Sequence, residues 1–148
     1  MLCDTAAKIG TDESWDQRIG EVERRGIEAI ADSVLERWFT ADFRGQRPAE
    51  LAGMRAMLTR TPIGGYLAAC GALKRADLRP YAGRIEAPTL CLVGDQDGST
   101  PVSLVKETAA LIPGSRVEVI EGAGHFPNVE RPRIVAEWVA EHARRAAS

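Results

Sequence analysis

Two loops of this sequence carry the residues best suited to chemistry. One is "VGDQDGSTP" (93–101), with carboxylates at Asp95 and Asp97. The other is "VIEGAGHFPNVERP" (119–132), with His125 set between glycine-flavoured turns and the start of a helix. Each loop follows a run of residues typical of a strand. A carboxylate and an imidazole brought together on neighbouring loops form a proton relay. The carboxylate accepts a hydrogen bond from one ring nitrogen, which fixes the tautomer and stabilises the imidazolium. The other ring nitrogen then takes a proton from a hydroxyl nucleophile.

The surrounding elements decide whether the two loops can meet. In "ESWDQRIGEVERRG" (13–26) Trp15, Ile19 and Val22 recur on one helical face. "IEAIADSVLERWF" (27–39) repeats the pattern with Ile27, Ile30, Val34, Leu35 and Trp38. Pro48 opens a third helix (48–60), a favourable first-turn position for proline. Its apolar side is Leu51, Met54, Met57 and Leu58. "GGYLAACGALKRA" (64–76) is a weaker helix, because Gly71 costs about 1 kcal/mol relative to alanine. After Pro88 the pattern changes. "TLCLVG" (89–94) is continuously apolar, as in a strand buried on both faces. A helix (101–112) stopped by Pro113-Gly114, a strand (116–122) and a closing amphipathic helix (131–147) follow. In that last helix Ile134, Val135, Trp138 and Val139 face inward. Strand, helix, strand is a parallel crossover. It places both loops at the carboxyl ends of neighbouring strands, where open α/β sheets hold their sites. Two parallel strands rarely stand alone, and "LCDTA" at the start reads as the end of another strand. The fold class is α/β.

Bulk properties remove several functional classes. The chain has 148 residues, 45% of them hydrophobic, a net charge of −2 and a pI near 5.7. That suits one compact soluble domain. No basic stripe exists to neutralise phosphates, which argues against nucleic acid. No apolar run approaches a membrane span, and "MLCDTAAKIG" has no secretory leader pattern. Cys3, Cys70 and Cys91 lack CxxC spacing and point to free thiols in a reducing cytoplasm. Two histidines without a His/Cys cluster argue against structural zinc. His142 in the closing helix reads as a surface residue. Arg144 and Arg145 complement the dipole at the end of that helix.

At the two loops the chain resembles the α/β-hydrolase family. The family's acid loop, Gly-x-x-Asp-x-x-x-Pro, is matched by Gly94, Asp97 and Pro101. Its histidine loop is matched by Gly124, His125 and Phe126. Asp95 is a rival acid whose position fits that pattern less well. Within the family, "DTAAKIGTDESWDQRI", "GIEAIADSVLERWFT" and "AGHFPNVERP" resemble the 3-oxoadipate enol-lactonases of aromatic catabolism. The resemblance implies the end of a core strand at 1–12, a helical cap at 13–76 and the C-terminal part of the hydrolase core at 77–148. It implies hydrolysis of a small enol-lactone with Asp97 and His125 as acid and base, and no cofactor or metal. Trp15, Trp38 and Met54 are the candidates for pocket lining under a cap, though their helical spacing also fits plain core; Lys8, Arg18 and Arg37 could attract the substrate carboxylate or simply be solvated.

One departure limits the resemblance. The family's serine lies in G-x-S-x-G between a strand and a helix, and this sequence contains no such pattern. Neither Ser14, Ser33, Ser99, Ser103, Ser115, Ser148 nor Cys70 fits it. The expectation is a C-terminal enol-lactonase-like part, inactive alone, exposing an apolar face to a separate N-terminal half or to another copy. The alternatives are a different α/β-hydrolase, acting on another ester or lactone, and a non-catalytic helical binding or assembly module.

Overall fold

The computed structural model describes residues 1–146. A three-stranded parallel sheet in the order β1–β2–β3 lies at one end: β1 (Leu2–Cys3), β2 (Leu90–Gly94) and β3 (Arg116–Ile120). β2 is central and buried along its whole length. Because successive side chains of a strand point to opposite faces, β2 feeds two cores. Leu90 and Leu92 pack with Ile120, Ala123 and the Val135 and Trp138 side chains of α9 (Pro132–Ala146). Cys91 and Val93 pack on the other face with Val105 and Ala109 of α7 (Val102–Ala110). The continuous apolar run in the sequence therefore does mark a strand covered on both faces.

The helical region joins β1 to β2. It contains α1 (Asp12–Arg25), α2 (Glu28–Trp38), α3 (Ala41–Gln46), α4 (Pro48–Thr59), α5 (Ile63–Arg75) and α6 (Arg79–Ala82). Thr11 caps α1 in a reciprocal box: its hydroxyl accepts from the Ser14 amide at 3.2 Å, and the Ser14 hydroxyl accepts from the Thr11 amide at 3.0 Å. Asp12 and Glu13 at the start and Arg24 and Arg25 at the end oppose the helix dipole. Gly26, at φ 76°, ends the helix in a conformation that glycine adopts without strain. Val22 of α1, Leu58 of α4 and Ile30, Ala31 and Val34 of α2 form one cluster. Leu35, Phe39 and Phe43 form a second, closed by Phe126 and Val129 from the histidine loop. That second cluster joins the helical region to the sheet.

The sequence reading needs one correction and three additions: of the four closing-helix residues expected to face inward, Val135 and Trp138 pack on the core, whereas Ile134 and Val139 are exposed on the outer flanks of that face. α3, α6 and α8 (Pro127–Glu130) are four to six residues long, too short to display a helical period. β3 stops at Ile120 because the chain turns at Glu121-Gly122, where Gly122 has φ 67°. The closing helix runs to Ala146, and Ala147 and Ser148 lie outside the described residues. β1 pairs with β2 through only Leu2 and Cys3. Beside it, Leu78, Tyr81 and Ile85 are exposed and border an apolar groove with Leu2, Ala6 and Ile112. No helix among the described residues is long and apolar enough to cross a membrane.

Candidate active site

The acid loop is built by its own hydrogen bonds. After Gly94 the chain turns, and the Asp97 amide bonds the Gly94 carbonyl at 3.3 Å. The Asp97 carboxylate then collects the start of the next segment. Oδ1 accepts the Ser99 and Thr100 amides at 2.7 and 2.9 Å, and Oδ2 accepts the Thr100 hydroxyl at 2.7 Å. Asp97 thus both organises its loop and presents Oδ2 toward β3. His125 Nδ1 lies 2.9 Å from that oxygen. Asp97's side chain is fully buried, whereas that of His125 is 23% exposed, so the ring reaches an opening. Among the described residues none hydrogen-bonds the ring's Nε2. The Thr100 hydroxyl is 3.4 Å from Nδ1 and is committed to Asp97. It is not placed to be activated by Nε2.

Asp95 takes a different part. Its exposed carboxylate accepts the Ala123 amide at 3.1 Å and braces the two loops against each other. The loop pattern favoured Asp97 over Asp95, and it is Asp97 that lies on the ring.

The histidine loop is pinned from the helical side. The His125 amide bonds the Trp38 carbonyl at 2.8 Å, and the Gly98 amide bonds the Arg37 carbonyl at 3.2 Å. The end of α2 therefore sets both loops at once. Glu130 adds a buried clamp that sequence reasoning missed. Its Oε1 accepts the Thr40 amide at 3.0 Å and the Thr40 hydroxyl at 2.7 Å, while Oε2 accepts the Gly124 amide at 2.5 Å. Glu130→Ala would leave three donors without their acceptor, at about 1 kcal/mol or more each. We expect urea unfolding to show a loss of about 3 kcal/mol in Glu130→Ala. A loss below about 1 kcal/mol would mean that the clamp is not a stabilising feature.

Electrostatics favour a charged acid. Burial by itself raises the Asp97 carboxyl, but the bonds from His125 and from the Thr100 amide and hydroxyl outweigh it and hold it below the ordinary carboxylate range. A depressed folded-state value stabilises the fold above the unfolded value of about 3.9, and that contribution disappears as pH falls through the folded value. The stability gap between wild type and Asp97→Asn should therefore be widest near neutral pH and shrink below about pH 4. Urea titrations of both proteins at pH 7 and pH 3 check this; a gap that widens on acidification would reverse the sign.

A cavity of about 350 Å³ opens over the imidazole, bordered by Trp15, Arg18, Arg37, Trp38, Tyr66 and His125. That volume is at the lower end for small-molecule sites. The Trp15 indole Nε1–H donates to the Ile9 carbonyl at 2.7 Å, and the Arg18 guanidinium lies over its ring at 5.1 Å. Burial lowers the Arg37 guanidinium from its ordinary range, and the nearby Arg18 charge adds to that. Neither Arg18 nor Arg37 forms an ion pair with a carboxylate among the described residues. Met54 does not border the cavity; it packs on the Leu35–Phe39–Phe43 cluster. Lys8 is likewise elsewhere, donating to the Lys74 carbonyl at 2.6 Å.

An acid and a histidine on consecutive loops at the carboxyl ends of adjacent parallel strands, under a helical layer, define an α/β-hydrolase arrangement. Residues 2–138 match the Alpha/beta hydrolase family, and the chain belongs to it. It is 36% identical to 3-oxoadipate enol-lactonase 2 of Acinetobacter baylyi over 133 residues, covering 90% of this chain and 49% of that protein. The crystal structure of the enol-lactonase from Burkholderia xenovorans LB400 is similar with a TM-score of 0.92 and 37% identity, over 96% of this chain and 54% of that one. A thermophilic esterase from Thermogutta terrifontis, malate bound, is similar with a TM-score of 0.88 and 30% identity, over 99% of this chain and 56% of that one. The chain spans about half the length of the curated relatives it matches.

Proposed function

We propose that this chain supplies the acid and the base of an enol-lactonase-like hydrolase. The observation that carries the reading is the 2.9 Å contact between buried Asp97 and the half-open His125 ring at the floor of the cavity. Asp97 holds the Nδ1 proton and leaves Nε2 free to act. A serine hydroxyl from outside residues 1–148 gives its proton to Nε2 and attacks the lactone carbonyl. The ring C–O bond breaks, the enol oxygen receives the proton from the imidazolium, and the enol becomes a ketone. A water molecule, deprotonated by His125, then cleaves the acyl-serine and releases the carboxylate. This chemistry needs no metal or cofactor.

Residues 1–12 are the end of a core strand and the entry to the cap, 13–76 act as the cap and 77–148 as the C-terminal part of the core. The apolar groove beside β1 is where the serine-bearing half docks. The three free thiols suit a reducing cytoplasm. Arg18 and Arg37, two guanidiniums with no carboxylate of the described residues between them, favour a substrate that carries its own carboxylate. Trp15 and Trp38 supply flat apolar walls for its ring.

Kinetics in the presence of a serine-bearing N-terminal half test the substrate class. The free-acid enol-lactone should be used with a KM at least about tenfold below that of its methyl ester, because a charge-assisted contact is lost on esterification. Arg37→Ala should erase most of that difference while leaving kcat nearly unchanged. Equal use of acid and ester would overturn the enol-lactone reading in favour of an esterase of neutral substrates.

A further inference from the structure

The relay leaves one buried carboxyl unused. Asp4 follows β1 and is 7% exposed. Its φ of 46° is unusual for a residue other than glycine, and aspartate tolerates it better than most. The turn folds the side chain back over the end of β2. Oδ1 accepts the Gly94 amide at 2.9 Å, and Oδ2 accepts the Cys3 thiol at 2.9 Å. The Asp4 amide bonds the Leu92 carbonyl at 2.9 Å, so backbone and side chain hold the same strand end.

That placement brings a third titratable group to the relay. A carboxylate oxygen of Asp4, one of Asp97 and a ring nitrogen of His125 all lie within 4.8 Å of one another. The two carboxyls are unequally supported. Asp97 has three hydrogen bonds from its own loop besides the ring, whereas Asp4 has one amide and one weakly donating thiol. Two buried carboxyls this close share the burden of charge, and the better-solvated one keeps it.

We propose that Asp4 is a positioning residue of the His125–Asp97 pair: it pins the end of β2 from which the acid loop departs and adds a second carboxyl electrostatically coupled to the ring. Its catalytic consequence rests on the relay proposed above; the coupling itself does not. Burial pushes the Asp4 carboxyl up to about 6. The Cys3 and Gly94 bonds pull it down, the Asp97 charge pushes it up, and a charged His125 pulls it down. The charged or titratable groups facing it are therefore Cys3 from β1, Asp97 from the β2–α7 loop and His125 from the β3–α8 loop. Once ionised, Asp4 adds negative charge beside the imidazolium that forms during turnover.

Carboxyl ¹³C NMR of the isolated chain tests the coupling without substrate. The Asp4 signal should titrate with a midpoint of about 6. Asp97→Asn should lower that midpoint and His125→Gln should raise it. Opposite shifts are the signature of coupling, since a brace for Gly94 alone responds to neither substitution. A midpoint unmoved by both substitutions would overturn the proposal. If either variant fails to fold, the wild type still decides: coupled groups titrate with shared inflections. Asp4 carboxyl and His125 ring signals that follow fully independent curves would also overturn it. An inactive enol-lactone assay would count against the proposed function and leave this result standing.

Discussion

We expect replacement of His125 with alanine to abolish hydrolysis in a complex of this chain with a serine-bearing half, with kcat falling by on the order of 10⁶. The size follows from what the ring alone supplies. Nε2 is the one nitrogen of the relay open to the cavity, and no carboxylate or second imidazole borders that cavity. Thr100 is bonded to Asp97, and Ser99 faces the cavity without a base of its own. Asp97→Asn should cost less, on the order of 10⁴, because it leaves the ring in place but presents an amide where the Nδ1 proton needs an acceptor. Steady-state rates of both variants check the pair. If Asp97→Asn were harmless while Asp95→Asn were damaging, the acid would be Asp95 acting through a rearranged loop.

Gly94→Ala should be the most damaging substitution for the fold. A Cβ at this position would lie 2.3 Å from the carbonyl oxygens of both Ala123 and Gly124, and 2.7 Å from the Ala123 carbonyl carbon. These are backbone atoms, and each is already held: Ala123 by the Gln96 and Asp95 bonds, Gly124 by Glu130. The loops cannot part without breaking the register of Gly94 on Ile120. We expect a destabilisation above about 4 kcal/mol, or no folded protein. Urea unfolding of the purified variant, with circular dichroism to establish folding, measures it. A variant within about 1 kcal/mol of wild type would show that the acid and histidine loops can part to admit a methyl group.

What the sequence made legible depends on how local each signal is. β2 was readable because "LCLVG" is apolar at every position, and burial on both faces imposes that locally. α1 and α2 were readable because Trp15, Val22, Ile30 and Val34 fall on single helical faces. The acid was not decided by the residues themselves. Asp95 and Asp97 are two positions apart, and only the turn that bonds Asp97 to Ser99 and Thr100 aims it at the ring. Glu130 resembles an ordinary surface glutamate in "NVERP", yet its partner Thr40 is 90 residues away. Asp4 meets Gly94 across the same distance in sequence. Met54 shows the opposite failure. The resemblance to capped hydrolases offered it as a pocket wall, but its helical spacing equally serves a core position, and the cluster around Phe39 and Phe43 claimed it.

The central claim is tested most directly by mixing. This chain and a separately produced N-terminal half carrying G-x-S-x-G should each fail to hydrolyse the enol-lactone alone. Together they should form a one-to-one complex that turns it over, with activity lost when this chain carries His125→Ala. Turnover at ordinary enzymatic rates by this chain alone, or a stable complex that hydrolyses nothing, would contradict the assignment of His125 and Asp97 as the base and acid of a hydrolase completed by a second segment.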